Sequence, residues 1–127
     1  MYNRLIIAII LFTLCIGFAG GSYICLKKMA DDVEKELSSF SESIKDGNIY
    51  ISEKAINNAT EKWTKYKKYF SVILDHSIFE ELNIDIPTTK KLFLSGNIED
   101  SLEKCFECID ALESIMEEQR INIGNVF

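Results

Sequence analysis

Three observations predict an all-α fold in which an N-terminal transmembrane helix continues into an antiparallel helical bundle of two αα-hairpins. An uncharged apolar run opens the chain, apolar residues recur at steps of three and four through the remainder, and only one proline and six glycines interrupt 127 residues. With the apolar run set aside, about 100 residues remain, enough for one small core and too few for a second domain. The organisation expected is a tail over 1–4, an anchor over 5–26, a helical bundle over 27–120 and a C-terminal tail over 121–127.

From Leu5 to Leu26 no residue is charged. At about 1.5 Å per residue this run reaches roughly 33 Å, slightly more than the ~30 Å hydrocarbon core of a bilayer. Arg4 bounds it on one side and Lys27 and Lys28 on the other, with Tyr2 and Tyr23 where interfacial aromatics belong. A cleaved signal peptide is the rival, because Ala19 and Gly21 satisfy the small-residue rule for a cut before Ser22. The apolar run continues through Tyr23, Ile24, Cys25 and Leu26, further than a signal peptide needs, and helical periodicity follows without a break. A lipoprotein anchor fits poorly, since Leu14 and Ile24, not small residues, precede Cys15 and Cys25. Gly17 and Gly21 form a GxxxG pair that would let two anchors approach in a homodimer.

Beyond the anchor, Leu26, Met29, Val33, Leu37, Phe40 and Ile44 make one apolar stripe, ended by Gly47, so that anchor and first bundle helix read as a single rod. Asn48 is a good N-cap for a second helix that buries Ala55, Ala59, Trp63, Tyr66, Phe70 and Ile73 and ends near Asp75 and His76. A third helical region is expected from Ser77, which has capping-box spacing to Glu80, and it must accommodate Pro87 either as a new start or as a kink. Gly96 stops it, Asn97 caps the last helix, and Ile98, Leu102, Cys105, Ile109, Leu112 and Met116 form its stripe.

The two turns repeat at an offset of 49: Asp46, Gly47, Asn48 and Ile49 against Ser95, Gly96, Asn97 and Ile98, with Ser52 matching Ser101. Duplication of an αα-hairpin and convergence on the same stop-and-start chemistry both account for it.

The net charge of −6, from 20 acidic against 14 basic residues, excludes a nucleic-acid binder of the usual kind, which needs a basic face for phosphate. The excess is uneven. Lys62, Lys65, Lys67 and Lys68 make a basic stretch, and Glu99, Asp100, Glu103, Glu107, Asp110, Glu113, Glu117 and Glu118 make the last helix acidic. Two solvated faces attracting each other across the bundle explain the pattern; a basic patch on anionic lipid headgroups is the sharper alternative.

With these landmarks the chain resembles an uncharacterised bacterial family, domain of unknown function 4363, over nearly its full length. The carriers are Lys45 to Asn48 at the first turn, Lys62-Trp63 in mid-helix, Asp75-His76-Ser77 at the helix junction and the closing Asn125-Val126-Phe127. The resemblance implies a bacterial membrane protein, an N-terminal anchor followed by about 100 helical residues. It implies no activity and no catalytic residue. Pro87 and the Cys105/Cys108 pair depart from the family's pattern, so no shared cysteine chemistry is implied.

Few residues suggest chemistry. His76, the one histidine, stands beside Asp75, an arrangement that elsewhere orients a general base. Its adjacent Ser77 is committed to a cap and neighbouring helical side chains do not face each other, so the pair reads as the close of the second helix. Cys105 and Cys108 spell CxxC, the one redox or metal candidate. They lie about two turns inside their helix, away from the N-terminal dipole that activates thiols, and a zinc site would need about four ligands. Under the repeat they correspond to Ile56 and Ala59, so small buried thiols are favoured. Trp63 and Tyr66, with His76, are the candidate pocket or partner-contact residues. No catalytic residue, cofactor or metal is expected.

The function predicted is a membrane-tethered helical interaction or accessory module of the bacterial cell envelope, not an enzyme. Its expected contacts are the bilayer, a protein partner in the membrane or envelope and a second copy through Gly17 and Gly21. The alternatives are an envelope sensor bundle binding a small apolar ligand near Trp63 and a CxxC thiol-redox or metal-binding protein. A short tail carrying Arg4 favours a single-pass signal anchor with residues 27–127 outside the cytoplasm, although Lys27, Lys28 and Lys35 weigh the other way.

Overall fold

Glycine and asparagine set most of the helix boundaries in this chain. The structure, a computed structural model, describes residues 2–126, and among these the side-chain surroundings of all but Ala19, Gly20, Ser22, Ile73 and 118–126. Helix α1 spans Tyr2–Lys45, α2 Ile49–Ile73, α3 His76–Leu94 and α4 Ile98–Val126. There is no strand among the described residues. The rival cleavage site at Ala19 and Ser22, the packing of Ile73 and the closing Asn125-Val126-Phe127 fall on side chains outside the described set.

The rod predicted from the sequence is present: α1 is unbroken through the apolar run and into the bundle, about 66 Å long. Its first half is long and apolar enough to cross a membrane, and none of that stretch is buried inside the protein. From Leu26 the same helix turns structural, with Leu26, Ala30, Val33, Leu37 and Phe40 fully buried. Met29 and Ile44, expected on the stripe, pack at its edge.

Each helix buries residues at alternating steps of four and three, with half-buried Tyr66 at the step between Trp63 and Phe70 of α2. After α1 these are Ser52, Ile56, Ala59, Trp63 and Phe70 in α2, Leu82, Ile86, Thr89 and Phe93 in α3, and Ser101, Cys105, Cys108, Leu112 and Ile115 in α4. That spacing is the heptad seam of coiled-coil-like packing. α1 packs on α2, α2 on α3, α3 on α4, and α4 closes on α1, so α2 and α4 lie on a diagonal. Four antiparallel helices in two hairpins result, with Phe40 and Phe93 meeting edge to face at 5.4 Å in the centre.

The two hairpin turns share their helix-ending backbone bonds, although only Asn48 caps through its side chain, accepting from Ile51 N–H, while Asn97 Nδ2 donates to Ser95 Oγ. Gly47 N–H donates to Ile44 O at 3.1 Å and Asn48 N–H to Ser43 O at 2.9 Å; Gly96 N–H donates to Phe93 O at 3.1 Å and Asn97 N–H to Leu92 O at 2.9 Å. Both glycines take the left-handed conformation, φ 75° and 87°, that lets a helix end this way. The seam repeats with the turns: Val33, Leu37 and Phe40 stand where Leu82, Ile86 and Thr89 stand 49 residues on, and Ser52, Ile56, Ala59 and Trp63 where Ser101, Cys105, Cys108 and Leu112 do. An offset of 49 is seven heptads, which keeps both hairpins in phase. Nothing crowds a Cβ at either glycine. Gly47→Ala and Gly96→Ala should therefore each cost only the conformational term, about 1 kcal/mol, and equally, as thermal denaturation of each variant would read.

Two local expectations are corrected and one is decided between its alternatives. α3 begins at His76, not after Ser77: Asp75 is its N-cap and accepts from Ser77 N–H at 3.3 Å. The Ser77–Glu80 spacing imitates a capping box, but the backbone of Asp75 is already in the non-helical cap conformation, so its carboxylate reaches the free N–H first. Of the two alternatives for Pro87, a new start is excluded and the continuous helix holds: α3 runs through the proline, and Thr88 and Thr89 beyond it bond back to Ile84 O and Asp85 O. In α4 the seam is rotated from the stripe predicted. Ser101, Cys108 and Ile115 occupy its centre with Cys105 and Leu112, while Ile98, Ile109 and Met116 are edge residues, because α4 must face both α1 and α3.

Candidate functional site

Trp63 lies in the middle of α2 and is 1 % exposed. Its indole stacks on Phe70, centroids 5.2 Å apart and planes 17° from parallel, with Phe79 of α3 tilted against it at 5.8 Å. The indole N–H donates to Asn83 Oδ1 at 3.2 Å, giving the one polar atom of the ring a partner. The expected burial between helices is therefore as read. The ring is fully engaged by its own neighbours.

Tyr66, one turn on, serves a different purpose. Its hydroxyl donates to Asp32 Oδ2 at 2.7 Å, while Lys62 Nζ reaches Asp32 Oδ1 at 2.8 Å and Glu36 Oε1 at 2.9 Å. Asp32 and Glu36 on α1 are four apart, as are Lys62 and Tyr66 on α2, so two i,i+4 pairs face each other as a polar clasp. The bonds from Lys62 and from Tyr66 hold the Asp32 carboxyl below its ordinary range, and the same contacts raise Lys62 and Tyr66. The clasp corrects the expectation that the α2 lysines attract the acidic α4: Lys62 pairs with α1, and α4 lies across the diagonal.

His76 stands apart from both. It is on the first turn of α3 with its side chain 88 % exposed, Nε2 4.0 Å from Glu80 Oε1. The structure thus does not assemble Trp63, Tyr66 and His76 into one pocket. Asp75, expected to help close α2, caps α3 instead.

Cys105 and Cys108 are both fully buried in the α4 seam. Cys105 Sγ donates to Leu37 O of α1 at 3.2 Å, and Cys108 Sγ lies 3.9 Å from Thr89 Oγ1 of α3. Burial pushes both thiols up to about 12, away from the thiolate form that reacts with disulfides and binds metals. Cys15 and Cys25, in contrast, are exposed. Thiol titration of the folded chain in detergent should find Cys105 and Cys108 unreactive until unfolding. Replacing the pair as Cys105→Val with Cys108→Ala should cost about 1 kcal/mol or less, read by denaturation. Rapid labelling of Cys105 and Cys108 in the folded state, or stoichiometric zinc in the purified protein, would contradict this.

Two features escaped the sequence. Glu34 of α1 sits against Glu113 of α4 and near Asp31, with burial foremost and these carboxylates next raising it to about 7. An open groove of about 480 Å³ runs between α1 and the end of α2. Its floor is Phe18, Gly21, Cys25 and Met29, and Tyr69 and Val72 form the opposite wall with Lys68 at the rim. Both depend on which helices become neighbours, for which periodicity carries no signal.

A family model described as Domain of unknown function (DUF4363) matches residues 21–126. The match takes in the whole four-helix region and leaves most of the apolar half of α1 outside it. No curated protein and no solved structure matches the chain.

Proposed function

We propose that this chain, which belongs to the DUF4363 family, is a single-pass, membrane-tethered helical interaction module of the bacterial cell envelope that works by holding a partner and not by catalysis. The observation that carries the reading is α1 itself: one continuous helix is uncovered and apolar over its first half and is the structural spine of the bundle over its second. A helix of that construction couples the bundle rigidly to the bilayer. Gly17 and Gly21 have open space around them, room that a second anchor or lipid would fill.

The partner-facing end is the tip farthest from the anchor. Ile49, Tyr50 and Ile51 at the first hairpin turn and Leu94 at the second are exposed large apolar residues, grouped where the rod would present them to another envelope protein. The groups that would have to carry chemistry are scattered: His76 is on the surface, and the CxxC thiols are sealed in the core with depressed reactivity.

The full chain should stay in the membrane fraction after alkaline extraction and have an intact mass near 14.5 kDa. A soluble product shortened at residue 21 would replace the tether with a signal peptide. A reporter active only in the cytoplasm, fused after residue 127, should be silent, because the module is placed outside. Crosslinking in native membranes should then attach one protein partner to the tip.

A further inference from the structure

We propose that the groove between α1 and the end of α2 holds an anionic phospholipid, its acyl chain along the groove and its phosphate at Lys67 and Lys68, so that the bundle lies against the bilayer. This rests on the tether reading. The register of α2 on α1 is set by Ser43 Oγ to Ser52 Oγ at 2.7 Å and by Lys62 on Asp32 and Glu36. Continued antiparallel, it brings Tyr69 and Val72 beside α1 residues 18–29, the stretch over which the apolar run ends. Phe18, Gly21 and Cys25 belong to that run, so the groove is continuous with the surface that faces lipid.

The exposed side chains at this depth are the ones an interface takes. Val72 is 84 % exposed and Tyr69 52 %, uncovered by any part of the described protein, in a groove that is almost entirely carbon-lined. Lys67 and Lys68 are exposed on the same turn, and Lys68 Nζ lies 5.2 Å over the Tyr69 ring, a lysine and an aromatic side by side as at headgroup level. Lys27 and Lys28 are exposed on α1 at the level where the span ends. Acids are also exposed near this end, Asp31 on α1, Asp75, Glu80 and Glu81 at the start of α3 and Glu113 and Glu117 on α4, but none of them lines the groove. The α2 rim of the groove is therefore basic at Lys67 and Lys68, complementary to phosphatidylglycerol.

Bromine on lipid acyl chains quenches tryptophan at close range, and Trp63, buried well up the bundle, supplies an internal baseline. Full-length protein carrying Val72→Trp is reconstituted in vesicles of phosphatidylcholine and phosphatidylglycerol with one or the other brominated. The expected result is quenching of the added tryptophan well beyond that of the wild type, stronger with brominated phosphatidylglycerol. Lys67→Gln with Lys68→Gln should abolish that preference, about a 5-fold loss for each lysine removed. Quenching equal to that of Trp63 alone overturns the proposal, as does equal quenching by the two lipids or emission that depends on protein concentration and not on bromine, the mark of a second copy in the groove. Failure to float with vesicles after an alkaline wash overturns the tether itself, whereas flotation without excess quenching overturns the groove alone.

Discussion

Trp63→Ala is expected to destabilise the bundle by about 3 to 5 kcal/mol. Three side chains from two helices meet on this indole: Phe70 of its own helix, Phe79 of α3 and, through the N–H, Asn83 of α3. Truncation removes both aromatic contacts, leaves a cavity in a seam with no spare side chain to fill it, and strands Asn83 Oδ1 without its donor. Trp63→Phe separates these effects, because it keeps much of the ring packing and loses the hydrogen bond, at an expected cost of about 1 to 3 kcal/mol. Denaturant unfolding followed by helical circular dichroism would measure both. An alanine variant as stable as the wild type would mean that α2 does not present this face to α3.

What the sequence could announce were features whose physics is local. Gly47 and Gly96 end helices because their own backbone conformation allows it, Asn48 caps because its side chain accepts from Ile51 N–H three residues away, and the uncharged run to Leu26 is a property of composition. The all-α class and the two hairpins follow from such signals. The seam was legible only approximately. A stripe read on hydrophobicity alone selects Leu102 and Ile109 in α4, whereas the packed seam takes Ser101 and Cys108, small residues that let neighbouring helices approach. Ser52 and Ser101 are buried for the same reason, each hydroxyl bonding back to its own helix at Asn48 O and Ile98 O.

Features that need two helices were not legible at all. Asp32 and Lys62 are 30 residues apart, and nothing in either segment names the other as its partner. The basic and acidic stretches suggested that α2 and α4 attract, but helix order around the bundle places them on a diagonal. The groove at Phe18 and Val72 likewise exists only because α1 is a spine long enough to pass the end of α2. His76 and the CxxC pair drew notice as residue types. Their surroundings, solvent for one and packed core for the other, decide their behaviour.

Glu34 gives the bundle a pH dependence opposite to that of an ordinary salt-bridged acid. Burial, then the facing Glu113 carboxylate and the nearby Asp31, raise it from 4.5 to about 7, so the folded state holds a proton that the unfolded chain releases near 4.5. Stability from this group is complete below pH 4.5, falls as pH rises from 4.5 to about 7, and is level above. The shift corresponds to about 3 kcal/mol. Water reaches this partly exposed carboxyl and screens it, which brings the expected loss to about 1 to 2 kcal/mol. Asp32 acts in a separate window: its carboxyl is lowered, so its contribution is present above 3.8 and is lost only as pH falls below that. Glu34→Gln keeps the shape and removes the titration. The variant should match the wild type near pH 4.5 and exceed it above pH 7, flattening the decline between them. Melting temperatures across that range are the measurement, and a wild-type decline that survives in Glu34→Gln would assign the titration to another group on the α1–α4 seam.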